Sequence, residues 1–368
     1  MDYFRNLLRN IDKALIFLPI CFLFISVIMI GSTSYVDEFI ITKDIKVQIT
    51  AYCLGAFTLC LVLLFNYKTF ESMEKIIYVA SIFLLLTVYI PGLGVEHFGA
   101  RSWINLGPVD LQPSELVKIS FVLIFASYLS RNRGTLTTLK GIIFAVLYAS
   151  PFIVIILKED LGSAIVMCVM AVSMIFSAGI DYKIFAKLGG IFLISMPIMY
   201  RFMASHQKER IDAFLHPENL SLAGNYQVWN SKVAIGSGGF LGKGLFQGTQ
   251  KELKFLPVQK SDFIFSVIVE ELGLLGGAFI IALYTLFLYR ILKIADNAKD
   301  MYGSLIAIGI LSMFGFQIFE NIAMAMGIMP VTGITLPFIS YGGSSVVANL
   351  IALGLVLNVG IRSKIINF

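Results

Sequence analysis

The sequence predicts an all-α integral membrane protein of about ten transmembrane helices, with both termini cytoplasmic and a long extracytoplasmic loop between helices 7 and 8. Three observations lead there. Of 368 residues, 58% are hydrophobic and only 14% charged, against about 25% charged in a soluble domain. The mean hydropathy is +0.85. The Lys and Arg residues gather in alternate short segments between apolar runs, which is a topology signal. This excludes disordered, collagen-like and disulfide-scaffold classes, and the chain reads as a single polytopic domain over residues 1–368.

Apolar stretches of roughly 17 to 25 residues span a bilayer, and ten fit that reading. They lie near residues 14–30, 47–65, 76–90, 113–128, 141–157, 161–178, 185–202, 263–289, 304–325 and 346–359. The eighth is long enough to tilt or break. Residues 1–13 hold no apolar core of a cleavable signal, so the first run reads as a span.

With the N-terminus inside, the inner segments hold fifteen basic residues: Arg5, Arg9, Lys13, Lys68, Lys75, Arg131, Arg133, Lys140, Lys183, Lys187, Arg290, Lys293, Lys299, Arg362 and Lys364. The short outer loops hold four: Lys43, Lys46, Arg101 and Lys158. Positive-inside bias therefore puts both termini in the cytoplasm. The net charge of +5 is spent on orientation and gives no nucleic-acid partner. Cys21, Cys53, Cys60 and Cys168 all fall within apolar segments, with neither metal-ligand spacing nor a disulfide partner. No internal repeat is visible, which counts against an inverted-repeat transporter.

Two outer segments stand out. Residues 203–262 form a loop long enough to be functional, with eight Lys and Arg between Arg201 and Lys260 and a glycine run, Gly236-Ser-Gly-Gly-Phe-Leu-Gly-Lys-Gly244. That run fails the phosphate-loop pattern at Ser237 and Gly244. It reads either as a surface turn or as backbone N–H groups that, with Lys243, could meet a phosphate. Residues 92–112 form a shorter loop. His97, His206 and His216 are scattered over these loops, so no histidine metal site is indicated.

Charges within or beside spans cost at least ~2.5 kcal/mol each and so carry information. They are Glu115, Lys118, Asp160, Glu270, Glu271 and Glu320. Glu115 and Lys118, three apart on one helix face, can pair, either as a lock between helices or inside a polar cavity. Glu270 and Glu271, followed by Leu-Gly-Leu-Leu-Gly-Gly, read as helix contacts, the glycines allowing close approach. Asp160 and Asp262 each precede an apolar run, where an acid serves equally as a helix N-cap or as a carboxylate at the outer face with chemistry to do.

Four motifs then carry a resemblance: Arg101-Ser-Trp-Ile-Asn-Leu-Gly107, Gln112-Pro-Ser-Glu-Leu-Val-Lys118, Asp262-Phe-Ile-Phe-Ser-Val-Ile-Val-Glu-Glu-Leu-Gly273 and Gly333-Ile-Thr-Leu-Pro-Phe-Ile-Ser-Tyr-Gly-Gly-Ser-Ser345. In this order they resemble the shape, elongation, division and sporulation (SEDS) proteins of bacteria, the RodA and FtsW family. Gly248-Thr-Gln250 ahead of Phe255-Leu-Pro257 looks more like RodA than FtsW. The resemblance implies a ten-helix peptidoglycan glycosyltransferase of the cytoplasmic membrane that joins lipid II units at the outer face during cell elongation. It implies a class B penicillin-binding protein as partner, Asp262 as the essential acid, and Arg101, Trp103, Glu115, Lys118 and Asp160 as substrate-binding residues, with Lys243 added by its charge. A divalent cation is a further candidate for neutralising the prenyl pyrophosphate leaving group. The chain departs from the family pattern at Val258, Lys260 and Ser261, and at Lys158 and Glu159. A lipid II flippase and a division or sporulation role are the alternative readings.

The charge bias makes a direct prediction. In a background with the four cysteines replaced, cysteines at positions 43 and 208 should react with an impermeant reagent from outside and those at 131 and 299 should not. Labelling at 131 would overturn the topology.

Overall fold

The computed structural model describes residues 10–34, 40–97, 100–105, 107, 110–222, 224–249 and 258–363. The expectations resting on Arg5, Arg9, Lys364, Gln250 and residues 255–257 lie outside the described residues.

A helix stands at each of the ten predicted segments. In chain order they are α1 (Lys13–Ser32), α2 (Lys43–Leu64), the short α3 (Tyr67–Ser72), α4 (Glu74–Leu86), α5 (Pro113–Arg131), α6 (Leu139–Glu159), α7 (Leu161–Ser177) and α8 (Tyr182–Phe202). Then come α9 (Ser205–Leu215), α10 (Asn225–Ser237), α11 (Ile264–Asp296), α12 (Met301–Ala325) and α13 (Gly343–Ser363). Seven described helices, α1, α2, α5, α6, α11, α12 and α13, are long and apolar enough to cross a membrane.

Boundaries differ from the hydropathy reading where capping and immersion differ. α2 starts at Lys43, ahead of its apolar run, because the Thr42 hydroxyl accepts from the Ile45 N–H. The predicted outer loop of residues 203–262 is largely built, holding α9 and α10. Residues 94–111 add a three-stranded antiparallel sheet to the expected all-helical plan: β1 (Gly94–His97), β2 (Ala100–Asn105) and β3 (Asp110–Leu111). Val95 pairs with Trp103 and Ile104 with Leu111.

α13 and α5 are mostly buried, whereas only about a third or less of α2 and α6 is buried. α13 packs on α2, and α12 packs on α5, α7 and α11. The α2 to α13 contact is close because a Cβ on Gly55 would sit 2.5 Å from Leu350 Cδ1, and one on Gly354 would sit 3.3 Å from Leu59 Cα. Small residues let helices approach where no hydrophobic drive separates protein from lipid.

Predicted inner residues meet each other at one end. Arg290 near the end of α11 donates to Asp12 at the start of α1 (Nε 3.0 Å, Nη2 2.5 Å), Lys68 pairs with Asp300 at 2.8 Å, and Arg131 pairs with buried Glu74. At the opposite end Lys260 meets Asp44 at 2.5 Å.

Two departures from regular helix shape the outer half. The first is the segment between α12 and α13. Its carbonyls are taken by side chains from three other helices: Tyr284 donates to Pro337 O (2.5 Å), Tyr52 to Phe338 O (2.7 Å), Ser26 to Ile339 O (2.7 Å) and Gln48 to Ser340 O (3.1 Å). The Ser340 hydroxyl accepts from Leu336 N–H (2.8 Å) and donates to Ser261 O (2.5 Å). The second is a break in α11 at Gly273 (φ 69°, ψ −167°). The glycine run meets it there: Lys243 and Gly244 N–H donate to Glu270 O and Glu271 O (3.0 Å each), and Leu274 and Leu275 N–H donate to Gly239 O (2.9 Å) and Phe240 O (3.3 Å). The partner brought close at Gly273 is thus a loop and not, as expected, another helix.

Gly273 occupies backbone space open essentially to glycine alone, and a Cβ there would stand 2.3 Å from Gly242 N. Gly273→Ala should cost at least about 2 kcal/mol, read as a lower melting temperature in detergent. Gly315→Ala, whose Cβ would meet nothing nearer than 3.9 Å, should be neutral or stabilise by up to about 1 kcal/mol.

Candidate functional site

Asp160 and Asp262 share one sequence signature, an acid before an apolar run, but their surroundings differ. Asp160 caps α7: Oδ1 accepts from Ser163 N–H at 3.0 Å, and Oδ2 accepts from Gln112 Nε2 at 3.0 Å. α11 instead begins after Phe263, with no side-chain cap. The Asp262 carboxylate therefore has no capping task. It is partly buried, with Oδ2 3.6 Å from where a Cβ on Gly333 would sit, and Ser261 and Arg210 beside it. Burial pushes its pKa up, while the Ser261 hydrogen bond and the Arg210 charge pull the other way without cancelling the rise.

Its neighbours are fixed by backbone bonds. Arg210 on α9 donates to Thr332 O at 3.0 Å. Asn321 on α12 donates to both Asp262 O (2.9 Å) and Ile334 O (2.7 Å). One amide thus ties the start of α11 to the segment that faces it. Thr332 also lies against α7, where a Cβ on Gly162 would come within 3.1 Å of its Cβ.

Beyond Thr332 is a buried ionic centre. Lys118 Nζ donates to Glu115 Oε1 at 2.7 Å, both side chains being buried. Glu320 on α12 lies within electrostatic range of Lys118 and Asp160, with Thr332 beside it. Asp160 in turn lines a small cleft together with Arg101, Ser102, Ser114, Tyr89 and Glu159. Arg101 is placed there by its backbone N–H, which donates to Glu159 Oε2 at 3.0 Å. Trp103 sits in the sheet opposite Val95.

The structure therefore pairs Glu115 with Lys118, sets Asp160 and Arg101 in one cleft, and places Asp262 beside Arg210 and Gly333. Lys243 is elsewhere engaged: its ammonium donates to Glu270 Oε1 and Thr249 Oγ1 (2.7 Å each) at the helix break. Glu271 accepts from Ser32 Oγ (2.5 Å) and Phe246 N–H (3.1 Å), so both glutamates serve the fold, as the sequence favoured. Arg210, Asn321 and Thr332 were not anticipated. Arg210 reads as one basic loop residue among eight, and nothing in its local sequence marks it. Asn321 was findable as a buried amide in an apolar helix. No group of three or more His, Cys, Asp or Glu side chains is arranged to hold a metal among the described residues.

The family model described as "Cell cycle protein", covering FtsW, RodA and SpoVE, matches residues 12–365. The chain belongs to the FtsW/RodA/SpoVE family. Stage V sporulation protein E of Bacillus subtilis is 36% identical over 96% of this chain and 98% of its own length. Peptidoglycan glycosyltransferase MrdB of Escherichia coli is 34% identical over 82% of this chain and 81% of its own. Among solved structures, a chain of a peptidoglycan synthase complex that coordinates polymerization and crosslinking superposes with a TM-score of 0.82 at 29% identity, and Thermus thermophilus RodA with 0.71 at 28%. Each covers 96% of this chain and 98% of its own. The FtsW/RodA/SpoVE match thus runs over residues 12–365, and Arg101, Glu115, Lys118, Asp160 and Asp262 all lie within it.

The different surroundings of the two acids predict different stabilities. Asp160→Ala should melt lower than Asp160→Asn, by about 1 kcal/mol, since Asn caps as well as Asp. Asp262→Ala and Asp262→Asn should melt together, because no helix N–H depends on that carboxylate.

Proposed function

We propose that Asp262 is the general base of a glycosyltransferase that joins lipid II units into glycan strands at the outer membrane face, in the elongation role. The chain is a multi-pass bacterial membrane protein and a peptidoglycan glycosyltransferase of the SEDS family. The observation that carries the assignment is the Asp262 carboxylate itself: freed from capping and set beside Arg210. We read the ten helical segments as ten crossings with both termini cytoplasmic, which sets Asp262 at the outer face, where the head of a lipid-linked sugar is presented.

In the reaction a sugar hydroxyl of one lipid-linked disaccharide attacks the anomeric carbon of the other. The new C–O bond forms as the bond to the prenyl pyrophosphate breaks, and the hydroxyl proton passes to Asp262. Charge growing on the pyrophosphate must be met by cations placed in advance. Lys118, Arg101 and Arg210 supply them, Trp103 and Asp160 flank the sugars, and Glu115 holds Lys118 in place. Lys243 acts on the substrate only through the loop it anchors. A divalent cation, if the pyrophosphate carries one, would need few protein ligands. A class B penicillin-binding protein is the partner we assign, supported by the synthase complex whose chain this one resembles. The full-length likeness to a sporulation protein supports the sporulation role as second reading; a deletion strain defective in spores but normal in shape would establish it.

Asp262→Asn should fold and abolish polymer formation from lipid II by the purified protein with its partner. Near-normal polymer would remove Asp262 as base, and lipid transfer without polymer would favour a flippase. The pH dependence has a definite sign. A base must be ionised, so activity should fall as pH drops through the Asp262 pKa, beginning above the range of an ordinary Asp. Arg210→Met removes a charge that lowers this pKa, so it should move the acid limb to higher pH. Stability should run oppositely: protonation on acidification relieves the cost of burying the carboxylate.

A further inference from the structure

Lys232 is one of the basic residues between Arg201 and Lys260, and the mechanism above gives it no task. It lies exposed on α10, four residues after Val228 and so on the same face of that helix. Both line a cleft whose other walls are Arg210 and Phe214, likewise four apart on α9, and Met329 and Val331 after α12. No acid lines this cleft among the described residues. Lys232 is located by close packing: a Cβ on Gly327 would stand 3.1 Å from Val228 Cγ1 and 3.3 Å from Lys232 Cδ, so the lysine stem lies along the turn that follows α12. Arg210 links the cleft to the acid assigned as base. Its Nη1 donates to Thr332 O at 3.0 Å, and a Cβ on the next residue, Gly333, would stand 3.6 Å from Asp262 Oδ2.

The cations named above for the leaving group differ in what opposes them. Lys118 is already held by Glu115 at 2.7 Å. Arg101 shares its cleft with Glu159 and Asp160, two carboxylates against one guanidinium, a lining better matched to sugar hydroxyls than to a pyrophosphate. The cleft of Arg210 and Lys232 has the opposite balance, two cations and no acid in its lining. A guanidinium bonded once to a carbonyl keeps its remaining N–H donors, and an ammonium offers three more, a donor set suited to linked phosphates. Phe214, Val228, Met329 and Val331 give the same cleft an apolar wall. A free inorganic anion gains nothing from that wall, whereas a phosphate esterified to a hydrocarbon chain does.

We propose that this cleft takes the pyrophosphate of the lipid-linked chain whose glycosidic bond is broken, with Arg210 and Lys232 as its phosphate ligands and the first isoprene units against Phe214 and Val331. This rests on the glycosyltransferase reading above and narrows it. As the bond between the anomeric carbon and the pyrophosphate oxygen breaks, the electron pair stays on that oxygen and is met by the two cations, while the proton of the attacking hydroxyl passes to Asp262. Each turnover then leaves prenyl pyrophosphate in the cleft, so compounds shaped like that product inhibit from the same place.

The probe is farnesyl pyrophosphate, added to the purified protein with its partner while it polymerises fluorescent lipid II. Farnesol and inorganic pyrophosphate, each lacking one half of the occupant, should inhibit at least about tenfold more weakly. Lys232→Met should raise the inhibitory concentration of farnesyl pyrophosphate about tenfold and lower kcat/KM by a similar factor, and Lys232→Arg should restore both to within about threefold. Lys208→Met, which removes a cation of α9 that does not line the cleft, should change neither. Phe214→Ser should weaken farnesyl pyrophosphate and leave inorganic pyrophosphate as it was, a split that a merely structural role does not give. Variants are matched by melting temperature. Equal inhibition by inorganic pyrophosphate, or a Lys232→Met protein unaltered in both rate and inhibition, would overturn the proposal. So would displacement of farnesyl pyrophosphate by phosphatidylglycerol vesicles at equal concentration, since the cleft would then hold an ordinary membrane lipid. Binding of radiolabelled farnesyl pyrophosphate to the Asp262→Asn protein, with and without Lys232→Met, separates this site from the base. Lys232-dependent binding beside normal polymer from Asp262→Asn would sink the base and keep the site. Binding indifferent to Lys232 beside an inactive Asp262→Asn would sink the site alone.

Discussion

Inside a bilayer no water answers a stray backbone group, and irregular chain survives only where protein satisfies it. The stretch between α12 and α13 is where this fold meets that demand, and much else follows from how it is met. Its carbonyls are taken by Ser26, Gln48, Tyr52 and Tyr284, from α1, α2 and α11. Those side chains fix three helices around one irregular strand of backbone. The same segment presents Gly333 to Asp262 and Thr332 to Arg210. A motif of glycines, serines and a proline looks featureless in composition; its meaning lies in polar partners far away along the chain. Each such bond is worth about 1 kcal/mol net, but an unmade one costs more, so removing Tyr52 or Gln48 acts on the site without touching it.

How much was legible depended on the kind of signal. The spans were read from hydropathy because immersion demands it, and a helix stands at each of them. Helix starts such as Lys43 were missed because a cap makes a helix begin in water, before the apolar run. The sheet carrying Arg101 and Trp103 was invisible, since strands of two to six residues leave too little alternation to detect. At the site, Glu115 and Lys118 followed from spacing alone. Whether Asp160 and Asp262 were caps could not be settled locally: that Asp262 is not one shows only in Phe263 opening α11 without any side-chain cap. Arg210 was out of reach because its place depends on α9, in a stretch that reads as loop.

The site also shows how charge is kept in an apolar bundle. Lys118 and Glu115 are neighbours on one helix, so their pairing needs no tertiary event to form and can insert as a unit. Arg210, by contrast, reaches the site from outside the spans, where its charge costs little, and is aimed inward by a backbone carbonyl. The two cations thus differ in setting, one buried and one partly exposed. In the reaction proposed above, one would act in low dielectric, where its field is strong, and the other nearer water.

The break at Gly273 changes what kind of object the glycine run is. A loop in water ordinarily tolerates inserted or deleted residues. Here residues 239–244 supply two amides and two carbonyls to the interrupted ladder of α11, so their number is set by the rise of a helix and not by the distance between two anchors. Adding one residue would leave groups on both halves of α11 unanswered at once. In evolutionary terms this segment should hold both its length and Gly242, where a Cβ would stand 2.1 Å from Glu271 O, the opposite of the surface loops around it.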